Sequence, residues 1–427
     1  MKLLSWVLVG TLATFSLAAL ISSVNVSINL SMNSGCDIPS VTEPTVDKTN
    51  AANTIATTAS TTTLQQTASS SSNSAAAAAE TTTTTTTFPN LERLGQKLLS
   101  DSNPQNDWER NLFARLDRIR EHCGELCAIN DLASLERYTV TPKNQTAVSM
   151  RQLKVPVDCD SIMLDAEIDA SDNTIPSSPP PQLLEYYTMG NATRYNTIYK
   201  NQTYAGTTGG VPVWSQDLIN EYTQKIKNME HNDFRRGSVG YYGRQSTHLF
   251  LRVRQFIPIK GARVLVIGSE SPWLEVAALY LGAAHVVTLE YGIIQAEDPR
   301  MTTYLPSEFR ELYRNKTLGL FDVVLSFSSL EHSGLGRYGD ALNPWGDVLA
   351  VARARCVTRP GGYLGISVPV PQRSDKLDIV SFNELREYGK IRYPLLTANW
   401  EQLDGEEHRL RPTGKRHPPF VFVNPID

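Results

Sequence analysis

Residues 263–290 constrain this chain more than any other stretch. Arg263-Val264-Leu265-Val266-Ile267-Gly268 is a short apolar run, rich in β-branched residues, that ends in glycine. Such a run reads as a buried strand followed by a tight turn. A helical pattern over 273–281 comes next, and His285-Val286-Val287-Thr288-Leu289-Glu290 is a second short strand that ends in an acid. The three pieces have the size of one βαβ unit. Strands so continuously apolar belong to a parallel sheet covered on both faces. The turn after the first strand then falls at the carboxyl edge of the sheet, where open α/β folds bind ligands. Glu290 stands 22 residues after Gly268. A carboxylate about 20 residues beyond a glycine turn can accept hydrogen bonds from ribose hydroxyls. The full G-x-G-x-x-G fingerprint is absent.

Downstream segments extend the same pattern. Phe321-Asp322-Val323-Val324-Leu325-Ser326-Phe327 reads as another buried strand running into Ser328-Ser329-Leu330-Glu331-His332. A helix is predicted over 345–356. Arg359-Pro360-Gly361-Gly362 predicts a tight turn, and 363–369 the next strand. Phe420-Val421-Phe422-Val423 is expected to close the sheet as an antiparallel edge strand. No strand can be placed between Glu290 and Phe321.

The order of VLVIG, an acid-ended strand, FDVVLSFSSLEH and RPGGYLGISVP resembles class I S-adenosylmethionine-dependent methyltransferases over roughly residues 240–427. The stretch Glu331-His332-Ser333-Gly334-Leu335-Gly336-Arg337-Tyr338-Gly339-Asp340 is similar to a nematode family known only as a domain of unknown function. The resemblance implies an α/β, class I methyltransferase-like (Rossmann-like) fold with a mostly parallel sheet and S-adenosylmethionine as cofactor. Carried over by position, Gly268, Ser269 and Glu270 form the methionine-binding turn. Glu290 grips the cofactor ribose, and Ser326 and Ser328 line the pocket after the fourth strand. The turn departs from the family's pattern. It reads Gly268-Ser269-Glu270-Ser271-Pro272-Trp273, with one glycine where the family has several, and Glu270 adds negative charge.

Methyl transfer to oxygen requires that the acceptor's proton be removed as the bond forms. His332 is the first candidate base, because an unperturbed imidazole titrates close to neutral pH. Glu331 and Asp340 are expected to orient it or to act as bases themselves, while Arg337 and Tyr338 hold a polar acceptor such as a sugar. The competing structural reading has His332 and Glu331 bonding the backbone at the strand end, with Asp340 and Asp347 capping the helix near Trp345. Asp347, Glu331 and His332 are oxygen- and nitrogen-bearing neighbours, but nothing in their spacing demands a metal, and none is expected.

The N-terminal part sets the compartment. Residues 3–21 carry no charge and follow Lys2, as in a signal-anchor or a cleaved signal peptide. Either places the remainder in the secretory lumen or outside the cell, as a single-pass membrane protein or a secreted one. Residues 22–88 are dominated by Ser, Thr and Ala and read as a disordered stalk or plain linker. Residues 89–210 form an accessory region with a helix expected over 107–126, and 211–427 hold the methyltransferase-like domain with a helix around 217–229. Sequons at Asn25, Asn29, Asn144, Asn191, Asn201 and Asn315 suit a glycoprotein. Of five cysteines, Cys36, Cys123, Cys127 and Cys159 precede that domain and allow two disulfides, whereas Cys356 is expected to be a buried free thiol. His122-Cys123 with Cys127 is half of a zinc pattern without its second half.

The net charge of −4 gives no positive field to gather nucleic acid, and no such partner is expected. The expected partners are the small-molecule cofactor, a glycan acceptor and, through the N-terminal segment, a membrane. Two other functions fit parts of the chain. A luminal glycosyltransferase would use Asp158-Cys159-Asp160 as its acid pair. A catalytically inactive module would keep the fold and act as a binding or surface domain.

Overall fold

In the computed structural model, the described residues are 98, 103–140, 152–172, 174–198, 211–235, 237–240, 242–372, 377–403 and 417–426. Residues 84–427 form one compact unit. The expected N-terminal apolar segment, the stalk and Cys36 lie outside the described residues. Among the described residues, no helix is long and apolar enough to cross a membrane.

A seven-stranded sheet organises the unit. Its strands are β1 (Arg263–Ile267), β2 (His285–Leu289), β3 (Met301–Tyr304), β4 (Phe321–Phe327), β5 (Thr358–Ser367), β6 (Glu401–Gln402) and β7 (Pro419–Val423). They lie side by side in the order β3-β2-β1-β4-β5-β7-β6. β1 to β5 are mutually parallel, and β7 runs antiparallel to both β5 and β6. The sheet is thus α/β and mostly parallel, as expected. Two corrections apply at its margins. β7 is antiparallel but is not the edge, because β6 pairs outside it. The Arg359–Gly362 excursion lies within β5, where Thr358 pairs with Phe321 and Tyr363 with Val323, so that it is a bulge.

The missing strand is β3. Its Met301-Thr302-Thr303-Tyr304 sequence is short and half-buried at the end of the sheet, so it carries no continuous apolar run. By contrast, β1, β2 and β4 are covered on both faces. On one face Val264, Val266, Val323 and Leu325 pack against α4 (Gln216–His231), α5 (Arg244–Phe256) and α6 (Trp273–Tyr280). On the other, Leu265, Val287, Val324 and Leu364 meet α7 (Pro306–Arg314) and α8 (Gly346–Cys356).

The upstream region joins the same unit. Helix α1 (Asp107–Cys123) is capped by Asn106, whose side chain accepts the Glu109 amide. Its Leu112, Phe113 and Leu116, with Leu183 and Tyr187 of α3 (Pro181–Thr188), share a core with Leu335, Leu342 and Trp345. Helix α2 (Cys159–Leu164) is tied to α8 by a Cys159–Cys356 disulfide. This corrects the expectation of a free thiol at Cys356: the partner stands 197 residues away, and no local pattern points to it. Cys123 and Cys127 are bonded to each other across the Gly124 break that ends α1.

A cleft at the carboxyl edge of the sheet

The strand order reverses between β1 and β4, which makes their carboxyl ends the topological switch point, the place where open α/β sheets bind ligands. A cleft of about 490 Å³ opens there. A smaller cavity of about 90 Å³ adjoins it on the α7–α8 side and shares Gly268, Glu290 and Asp340 with it.

The floor is the turn after β1. Gly268 has φ 71°, and its amide still donates to the Leu289 carbonyl at 3.0 Å. A Cβ there would stand 1.7 Å from Ser329 Oγ, so only glycine lets the β1 and β4 turns approach. The next residue locks the turn to the tip of β2. The Ser269 amide donates to Glu290 Oε2 at 2.7 Å, and the Tyr291 amide donates to Oε1 at 2.8 Å. The Ser269 hydroxyl donates to Glu275 Oε2 at 3.0 Å, and the Thr288 hydroxyl to Oε1 at 2.8 Å. Glu275 is fully buried in α6, and that burial raises its carboxyl to about 7. Burial likewise raises Glu290, against the pull of its two amide bonds. Gly268, Ser269, Glu270 and Glu290 therefore stand together on one wall of the cleft.

The other wall is the segment after β4. Ser328 lies in the cleft with φ 49°. Ser326 does not reach it: its side chain is buried, and its hydroxyl donates to the Ile267 carbonyl at 2.9 Å, stitching β4 to β1. His332 lines the cleft, and its Nδ1 lies 2.5 Å from the Glu384 carbonyl. That contact places a proton on Nδ1 and leaves Nε2 bare. Burial lowers the imidazole below its ordinary value, outweighing the nearby Glu331 charge. Glu331 sits behind the wall, fully buried, 3.8 Å from His332 Nε2. Burial pushes its carboxyl up, but the hydrogen bond from His417 and the charges of His332 and His417 bring it below the usual carboxylate range.

Asp340 borders the cleft with its side chain engaged. Its Oδ2 accepts the Gly334 amide at 2.6 Å and the Gly336 amide at 3.3 Å, while Oδ1 accepts the Tyr338 amide at 3.2 Å. Its geometry is that of a clamp on the glycine-rich loop over 333–344. Asp347 is remote from the cleft. It forms a buried network with Arg386, Arg392 and Tyr388. The alternative acid pair is also committed elsewhere. Asp158 caps α2 by accepting the Asp160 and Ser161 amides, Asp160 accepts the Tyr313 hydroxyl at 2.7 Å, and Cys159 is disulfide-bonded. Among the described residues, no group of three or more His, Cys, Asp or Glu side chains could hold a metal ion.

Sequence reasoning missed the aromatic lining. Trp273 and Phe327 meet edge to face at 5.2 Å, and Tyr242 stacks at a tilt on Phe327 at 5.0 Å. Gly240 makes room for the Trp273 ring, which a Cβ would approach to 2.4 Å. His417, stacked on Phe327 at 5.8 Å, was missed as well, because it is 90 residues distant and its only local signal is a Pro-Pro that follows it.

With this geometry established, the chain can be set beside known proteins. Residues 261–411 match the family described as "Caenorhabditis protein of unknown function, DUF268". It is the nematode family that the 331–340 stretch resembles. Among solved structures, the chain is similar to the 1,6-didemethyltoxoflavin-N1-methyltransferase of Burkholderia thailandensis, solved with S-adenosylhomocysteine bound. That similarity has 13% identity, 51% of this chain, 93% of that chain and a TM-score of 0.30. An S-adenosylmethionine-dependent methyltransferase of Mesorhizobium loti aligns at 14% identity, covering 42% of this chain and 96% of its own, with a TM-score of 0.25. A putative hemolysin of Lactococcus lactis aligns at 15% identity, covering 43% and 88%, with a TM-score of 0.28. No curated protein matches the chain.

Proposed function

We propose that the cleft binds S-adenosylmethionine and that the protein transfers its methyl group to a hydroxyl of a glycan or another secretory-pathway acceptor. The observation that carries the reading is the charge of the cleft at the switch point. Among the described residues that line it, Glu270, Glu290 and Asp340 are the acids and His332 is the one basic side chain. Such a lining repels a nucleoside diphosphate and favours a ligand with a cationic centre. The aromatic faces of Tyr242 and Trp273 add to the preference for a cation. The volume of about 490 Å³ suits a nucleoside-sized molecule.

The residues present fit the group in a specific way. Glu290 uses one lone pair of each oxygen on the Ser269 and Tyr291 amides, and each oxygen has a second available for a ribose hydroxyl. Gly268 keeps the floor of the cleft close to β4 without a side chain in the way. When bound, the sulfonium supplies an electrophilic methyl carbon. His332 lines the cleft and would hydrogen-bond the acceptor's hydroxyl to hold it in place. Asp340 holds the glycine loop whose Tyr338 borders the acceptor end of the cleft.

The compartment belongs to the same proposal. Two disulfides, Cys123–Cys127 and Cys159–Cys356, support an oxidising lumen. The sequons at Asn191 and Asn315 are on exposed residues, as glycosylation requires. The uncharged segment over 3–21 would supply the anchor or signal, and 22–88 the stalk.

The test is calorimetric titration of the full chain with S-adenosylmethionine and S-adenosylhomocysteine, beside Glu290→Ala. Saturable binding that the substitution weakens at least tenfold is the expected result. A folded protein that takes up neither compound at millimolar concentration would leave a methyltransferase-shaped binding module instead.

A further inference from the structure

Behind the wall of the cleft, a second acid–base group remains to be explained. Ser328 Oγ lies 2.8 Å from Glu331 Oε1 and 3.2 Å from His417 Nε2, so its one proton can be given to either. His417 Nε2 is in turn 3.6 Å from Glu331 Oε1. The Tyr242 phenol also hydrogen-bonds Ser328 from the cleft side. The His417 side chain is nine-tenths buried and that of Glu331 almost wholly so. Two of their polar atoms, Glu331 Oε2 and His417 Nδ1, are buried with no hydrogen-bond partner among the described residues. Ser328 itself is held at φ 49°, a left-handed conformation that a serine adopts at a cost. Strain of this kind persists where the surroundings over-determine it, and it gathers at functional sites.

A purely structural role would waste these features. A serine that only ended β4 would need neither the left-handed turn nor two buried ionisable partners. Here the turn aims the hydroxyl from the cleft toward the imidazole, and the ionised Glu331 stands where it would stabilise an imidazolium.

We propose that Ser328 is a base-activated hydroxyl at the cleft wall, with His417 as the group that takes its proton and Glu331 as the carboxylate that steadies the resulting charge. This rests on the methyl-transfer reading above and names the route by which that reaction loses its proton. The acceptor's O–H donates to Ser328 Oγ. With the cofactor bound, the acceptor's proton would pass to Ser328 Oγ as the acceptor oxygen took up the methyl group, the electrons of the broken carbon–sulfur bond staying on sulfur. The serine's own proton passes to His417 Nε2. Nothing else is consumed, and the imidazolium later returns its proton to water. Ser328 is the residue that touches the substrate; His417 and Glu331 act through it and are positioning residues. The route requires the neutral His417 tautomer with its proton on Nδ1, so the hydrogen bond from Nε2 to Glu331 forms only with the imidazolium.

A serine polarised in this way is nucleophilic, so its activation can be read without knowing the acceptor. The probe is a fluorophosphonate applied to the folded full chain. The Ser328 Oγ–phosphorus bond forms, fluoride leaves, and the proton goes to His417 Nε2. Mass spectrometry should find the adduct on Ser328, absent from Ser328→Ala. Positioned general bases contribute roughly 100- to 10,000-fold, so His417→Gln should slow labelling at least ~100-fold. The rate should rise with pH as the imidazole loses its proton, and His417→Gln should flatten that profile. The groups that face His417 are Glu331, Ser328 and Tyr242, whose ring is 6.3 Å away. Glu331→Gln, which removes the carboxylate beside the imidazolium, should also slow labelling. An unlabelled Ser328, or labelling that is flat in pH, overturns the proposal even if His417→Gln does not fold. S-adenosylhomocysteine binding measured on the same samples separates the two ideas. Labelling without binding removes the methyl-transfer reading alone, and binding without labelling removes the serine unit alone.

Discussion

Replacing Gly268 by alanine adds one methyl group beneath the cleft, and two separate costs follow. The residue has φ 71°, where an alanine pays about 1–2 kcal/mol for the left-handed backbone. The new Cβ would also stand 1.7 Å from Ser329 Oγ and 2.5 Å from Ser329 Cβ. The hydroxyl can rotate away, but the Cβ can move only with its backbone. Overpacking of this kind costs about 1–3 kcal/mol. The sum is roughly 2–5 kcal/mol. Gly261→Ala is the matching control: its φ is 77°, and an added Cβ meets nothing within 4 Å. It should pay only the backbone part. Denaturant titration of both variants isolates the packing part as the difference in midpoint at a common slope. Gly268→Ala should be the less stable by at least about 1 kcal/mol. It should also lose S-adenosylhomocysteine binding, which Gly261→Ala should keep. Equal midpoints would refute the close approach of the β1 and β4 turns.

Three further outcomes are expected. Opening Cys159–Cys356 by Cys356→Ser releases a loop of 197 residues, for which chain entropy gives about 5 kcal/mol, whereas opening Cys123–Cys127, a separation of 4, gives about 2 kcal/mol; the ordering of the two melting shifts checks this. Asp347→Ala strands the buried Arg386 and Arg392 guanidiniums and should cost about 3–5 kcal/mol in denaturant titration, while the cleft, which Asp347 does not line, keeps its affinity once the protein is folded. Glu275 titrates near 7 in the fold against an ordinary value of 4.5. Between those values the folded state holds a proton that the unfolded state has released, so stability should fall as pH rises and level off above about 7. Glu275→Gln should remove roughly 3 kcal/mol of that slope, seen as a flattened plot of stability against pH.

The sheet was readable where burial imposed it. β1, β2 and β4 are enclosed on both faces, so their apolar runs are long and unambiguous. β3 lies at an end of the sheet and is half-buried, which leaves Met301-Thr302-Thr303-Tyr304 without a pattern. Helix α5 escaped for another reason: its first turn carries Ser246-Thr247, residues that favour caps and turns, although both are buried. Among the site residues, Gly268 and Glu290 could be found because a glycine turn and an acid at a set spacing follow from the βαβ geometry. Ser326 and Ser328, two apart, would share a face on a continuing strand, but β4 ends at Phe327 and the left-handed Ser328 breaks the alternation, so that Ser326 bonds the Ile267 carbonyl while Ser328 lies in the cleft. Cys159–Cys356 and Glu331–His417 join residues far apart in the chain, and no local period encodes such meetings.

The glycine loop over 333–344 is braced from upstream. Tyr187 donates its hydroxyl to the Gly334 carbonyl at 2.8 Å, Arg115 bonds the Leu342 carbonyl, and Phe113 and Leu183 share a core with Leu335. None of these braces falls within residues 261–411, the stretch that the family match covers. Inherited changes at 113, 115, 183 or 187 could therefore reshape one wall of the cleft while leaving every strand of the sheet untouched. Descendants of this chain have two independent places to alter what the cleft admits, and a comparison confined to the strands would detect only one.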